Sequence, residues 1–232
     1  MCSNGHMILF ALVSMPLFLI FLITILGLVP ESKEGLYRFL RGLVWAVPFA
    51  VLYVLVMQGT GPAYEGLWLY VREGVLGLGL PFLALLLAGE LFGSRWGEGL
   101  ERHARFLWFS GGFLLAFQVL DLLLHVRWMG AYTLFYHPLL FSLFLYMAPR
   151  MYTEWGRAGK RLRIWGYWIH GVVVVLATAL VPFFSYSNFP LVTPVVVVLV
   201  GGAVAVSGVF LPSLISWVER RVGGGKEEAR SV

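Results

Sequence analysis

Three residues able to do chemistry interrupt the otherwise greasy stretch FQVLDLLLHVRWMGAYTLFYHP, residues 117–138: Asp121, His125 and His137. On a helix turning about 100° per residue, Gln118 and His125 point within roughly 20° of each other, with Asp121 about 60° to one side. Gly111 and Leu114 continue that stripe. If the chain reverses near Met129, Asp121 and His137 lie equally far from the turn, about 12 Å at 1.5 Å per residue, and so at similar depth on adjacent helices. A carboxylate in hydrocarbon costs at least a few kcal/mol, so Asp121 should face the helix bundle and find a donor there. His125, one turn away, and His137, across the hairpin, are the natural donors.

Those residue types in that arrangement point to three chemistries. In a proton or cation relay, Asp121 titrates and the histidines pass protons, because imidazole switches near neutral pH. In a metal site, Asp121, His125 and His137 supply an Asp/His ligand set with an i, i+4 pair on one helix. In a haem b site, two histidines are the axial ligands. The bland alternative is an Asp–His pair that pins one helix to the next. A second polar set lies closer to the opposite end of the expected bundle, with Glu90 in LPFLALLLAGELF and His170 in RIWGYWIHGVVVV. Glu90 also has a simpler expectation, snorkelling to the interface or pairing with Arg95.

The elements that must hold these residues are written in the composition. The 232 residues are 59% hydrophobic and 12% charged, and soluble domains carry roughly twice that charge. One membrane domain over residues 1–217 is expected, with a short basic, disordered tail at 218–232. A spanning helix needs about 20 mostly apolar residues. Seven stretches qualify, roughly 7–29, 38–58, 74–92, 106–126, 131–148, 164–185 and 191–217. The fold class expected is therefore an all-α integral membrane protein, a bundle of seven transmembrane helices. In this layout GTGPAYEGLWLYV is an outer loop with an amphipathic segment, and Arg72 and Glu73 mark the interface.

Basic residues set the expected orientation. All but Arg72 and Arg127 of the 17 Lys and Arg fall on alternate connections or the tail. Positive charge in short loops stays cytoplasmic, which places the N-terminus outside and the C-terminus in the cytoplasm, in a multi-pass protein of the cell inner membrane. The same placement accounts for the net charge of +5 through the anionic leaflet, with no nucleic-acid partner. A cleaved signal peptide is the weaker reading of the first span, because MCSNGHM lacks Lys and Arg. Gly201, Ala205 and Gly208 offer a small-residue face for close helix approach.

Several functions are excluded. One cysteine, Cys2, rules out an intramolecular disulfide and a cysteine metal cage. No phosphate loop, GxGxxG, HExxH or GxSxG is present. The seventh span has no lysine for a retinal Schiff base. What fits is transport rather than catalysis: a small permease or channel-like protein requiring no cofactor, acting on a solute or ion. Its path would be lined by Gln118, Asp121, His125 and His137, then Glu90 and His170. Two alternatives stand beside it. One is a membrane-embedded enzyme or redox subunit that uses Asp121, His125 and His137 for metal or haem. The other is a non-catalytic subunit or assembly factor, with a membrane-protein partner or a second copy of the chain.

Overall fold

The computed structural model describes residues 32–61, 66–92, 99–124, 132–157, 160–187 and 191–228. These form six helical rods, with no strand among the described residues. The rods are α1 (Ser32–Gly59), α2 (Gly66–Phe92), α3 (Gly99–Leu124), α4 (residues 132–155), α5 (residues 160–186) and α6 (Val192–Glu228). Among the described residues the count is six, against the seven expected for the whole chain. The first expected crossing, residues 7–29, lies outside the described residues.

Four stretches are long and apolar enough to cross a bilayer: Lys33–Gly59, Gly66–Phe92, Arg163–Tyr186 and Val192–Val218. By length and composition this is a membrane protein. α3 and α4, whose side chains are not described along their whole length, are not among the four. These two rods supply much of the buried interior. Phe106, Phe109, Phe113 and Phe117 of α3 form a ladder with ring centroids 6.3, 6.0 and 5.4 Å apart. Phe82 of α2 stacks on Phe144 of α4 at 4.3 Å.

The polarity pattern is the reverse of a soluble bundle. On α1, Leu36, Leu40, Val44, Val47, Val51 and Leu55 follow helical spacing, and every one is at least 50% exposed. A stripe that long would be a large exposed apolar patch in water, whereas hydrocarbon solvates it at no cost. Dense packing lies on the opposite face, where a methyl group on Gly42 would collide with the Phe109 carbonyl and one on Gly112 with the Phe39 carbonyl. α1 and α3 therefore touch backbone to backbone. Such close approach holds helices together by dispersion and short-range contacts where no hydrophobic force acts between them.

Contacts between helix ends show that the rods alternate in direction. Glu34 at the start of α1 meets Arg105 near the start of α3 at 3.0 Å. Glu90 near the end of α2 meets Arg163 near the start of α5 at 3.2 Å. The Arg102 guanidinium lies 6.0 Å from the ring of Tyr152, near the end of α4. This end of the bundle gathers the described arginines apart from Arg72, and is called the basic end below.

Two rods depart from the expected boundaries. α2 begins at Gly66, where a φ of +66° suits a glycine, so the expected outer loop is helical from there. Arg72 and Glu73 lie inside the rod, with side chains 13% and 11% exposed. The correction has a physical cause: Arg72 Nη2 donates to the Met57 carbonyl at 3.1 Å. Met57 is among the last carbonyls of α1, which lack helical partners, and a cation there also suits the helix dipole. α6 runs past Trp217 and is helical through Glu228, where composition predicts a disordered tail.

Candidate functional site

A polar seam runs between α2 and α5. α2 is not regular along it. Tyr70–Gly79 is wound as a π-helix of ten residues, a form that proteins mostly restrict to single turns and often place at functional sites. Gly74 and Gly79 carry the contact: a Cβ on Gly74 would sit 2.6 Å from Ala179 Cβ, and one on Gly79 2.5 Å from Val175 Cγ1.

α5 bends at that same crossing. Its helix runs Lys160–Thr178, passes through a turn at Ala179 whose N–H still donates to the Val175 carbonyl at 2.9 Å, and continues as Leu180–Tyr186. Pro182 has no N–H for the Thr178 carbonyl. The Thr178 hydroxyl donates back to the Val174 carbonyl at 2.8 Å, a local bond that tends to bend helices. Tyr70 bridges the two irregular stretches by donating to the Leu176 carbonyl at 2.7 Å. Irregular backbone at membrane depth persists only where protein or a wet cavity satisfies it.

Each end of the seam carries an arginine–glutamate pair. At the far end Arg72 and Glu73 are in contact. At the basic end Arg163 Nη2 reaches both Glu90 oxygens at 3.2 Å. The Arg163 guanidinium also lies 5.7 Å from the Tyr152 ring, which stands 6.2 Å edge-on to Tyr167. Tyr167 is fully buried and donates to the Leu86 carbonyl at 3.1 Å. Burial is the main influence on Tyr152 and pushes its phenol above the ordinary value. Glu90 thus pairs with Arg163 across the bundle; Arg95 lies outside the described residues.

His170 is on α5, two turns beyond Arg163. Its Nε2 lies 3.4 Å from the Ser207 hydroxyl of α6, which itself donates to the Val204 carbonyl at 2.7 Å. Nδ1 is buried with no hydrogen-bond partner among the described residues.

The other expected residues fall elsewhere. Gln118 of α3 is fully buried, and His137 of α4 is 2% exposed. The His137 ring lies 4.2 Å from Phe141 and 5.8 Å from Tyr132. Tyr132 in turn lies 5.2 Å from Tyr186 of α5, which ties His137 to the far half of the seam. The Asp121 backbone is helical, but its side chain, like all of His125, lies outside the described residues. Among the described residues no group of three His, Cys, Asp or Glu is placed to hold a metal, and the Asp121, His125, His137 set is not tested by that.

Sequence reasoning missed Tyr70, Thr178 and the role of Arg72. The signals were present in three glycines within REGVLGLG and in the TALVP run before Pro182, but neither has the period of a motif. No family model, curated protein or solved structure matches the chain.

Proposed function

We propose that the chain is a small permease or channel-like protein that carries an ion or small solute along the α2–α5 seam. The observation that carries this reading is the half-buried Glu90–Arg163 contact, which joins α2 to α5 at the basic end of the seam. A bundle that only holds itself together gains little from such pairs, because desolvating two charges offsets most of their attraction. A path that opens at the basic end uses the Glu90–Arg163 pair as its closure. The π-helical stretch of α2 and the bend in α5 supply the bending point, as irregular helices do at the binding sites of many transporters.

In this reading His170 passes protons on the inner side of that path, and Gln118 and His137 line the far half beside Asp121, the titrating group. His125 extends that lining outward. The bundle sits in the inner membrane as a multi-pass protein, with its basic end in the cytoplasm, as the placement of Lys and Arg implies. Glu90 and Arg163 then form the cytoplasmic closure.

The test is ion flux into proteoliposomes, with a trapped pH dye for protons and a trapped sodium dye for sodium. Wild-type protein is expected to pass one of the two ions, and Asp121→Ala to abolish that flux while the protein still inserts. Full flux in Asp121→Ala removes Asp121 from the mechanism. Absence of both fluxes in the wild type ends the ion-path reading.

A further inference from the structure

The described glutamates at the basic end are all engaged by particular arginines. Glu34 takes Arg38 at 3.3 Å and Arg105 at 3.0 Å, and Glu101 also takes Arg105. Glu154 takes Arg157 at 3.0 Å, and Glu90 takes Arg163. Arg150 of α4 meets no carboxylate among the described residues. Its Nη1 donates to the Tyr146 hydroxyl at 3.1 Å, and its guanidinium lies 5.5 Å from the same ring. Its Nε is buried with no hydrogen-bond partner among the described residues. Among the described residues this half-buried guanidinium therefore has no anion, the costly arrangement for an ion out of water.

The surroundings hold this cation in place without neutralising it. Tyr146 accepts from Arg150, so its own O–H is left to donate. The α6 backbone fixes that ring, since a Cβ on Gly208 would sit 2.9 Å from Tyr146 Cε1 and 3.3 Å from its hydroxyl. From α3, the imidazole of His103 bonds to the Pro149 carbonyl and sits in the field of Arg150. An arginine fork beside a hydroxyl donor matches the oxygens of a phosphate group. The position is where a helix end would meet the anionic leaflet.

We propose that Arg150 and Tyr146 form a phosphate-binding site on α4, flanked by α3 and α6, at the basic end of the bundle. The group it takes is a phosphate oxyanion, from a phospholipid headgroup or from a soluble phosphate. It is separate from the α2–α5 seam and does not depend on the permease reading.

Protein purified in maltoside detergent tests this, titrated with phosphatidylglycerol, with inorganic phosphate, and with diacylglycerol as the same tails lacking phosphate. Native mass spectrometry reads bound lipid, and the thermal midpoint reads inorganic phosphate. Wild type is expected to hold phosphatidylglycerol over diacylglycerol, and Arg150→Gln to weaken that by about tenfold, the usual scale of one charge-assisted bond. Arg157→Gln, at an exposed arginine already paired, leaves binding unchanged. Stabilisation by inorganic phosphate that Arg150→Gln removes, without lipid retention, supports the site with a soluble source. Tyr146→Phe keeps the ring and its packing, so reduced binding there decides the matter if Arg150→Gln does not fold. Equal binding by wild type, Arg150→Gln and Tyr146→Phe, or equal retention of diacylglycerol, overturns the proposal.

Discussion

His103 shows what one residue near the basic end does to the whole. Burial, then the Arg150 guanidinium, hold its pKa down from 6.5 to about 4, and the bond to the Pro149 carbonyl works in the other direction. Between those two values the unfolded chain binds a proton that the folded chain refuses, so stability falls as pH drops from 6.5 toward 4. Above 6.5 the contribution is fully present and flat. Thermal midpoints of His103→Gln across pH 4–7 should therefore fall less steeply than those of the wild type; parallel curves would remove the histidine as the cause. Nothing in the sequence singled out His103, because ERHAR reads as a solvated basic connection and the arginine that perturbs it is on another helix. Glu90, His137 and Gln118 were legible as polar residues in apolar runs. Their partners were not, since Arg163 is 73 positions from Glu90.

At the scale of elements, periodicity and run length located the helices from residue 32 onward, and glycine decided how they meet. Gly42 and Gly112 each face a backbone carbonyl on the opposing rod. Carbonyl oxygens cannot rotate aside as a side chain does, so Gly112→Ala should force α1 and α3 apart at a cost of about 1–3 kcal/mol. Gly201→Ala is the matched control, because a methyl group there meets nothing within 4 Å, and it should be neutral or stabilising by up to about 1 kcal/mol. Unfolding in mixed micelles separates the two, and equal losses would contradict the contact. Of the small residues expected to bring α6 close to a neighbour, Gly208 does so against Tyr146 and Met147, whereas Gly201 does not. The bend in α5 and the π-helix in α2 were only half legible. Pro182, Thr178 and the glycines of REGVLGLG mark the places, but the contacts that join them, Tyr70 to the Leu176 carbonyl and Gly74 against Ala179, lie on the other helix.

For the whole molecule, the gathering of arginine at one end was legible because it depends only on which connections carry charge, whatever the side-chain packing. If the membrane orientation follows that charge, a fluorescent protein fused after Val232 should light up in cells while alkaline phosphatase at the same place stays inactive. The reverse pair of results would invert the proposed orientation and put Glu90–Arg163 on the external face. The backbone contact between α1 and α3 has a consequence in time as well as space. These rods run parallel, so α2 must return across the bilayer before they can meet. At roughly 5–20 residues per second of translation, the glycine notch of α1 waits several seconds for its mate. During that interval the notch is lined by whatever lies beside α1 in the bilayer, and a ribosome stalled before Gly112 would leave it without its mate.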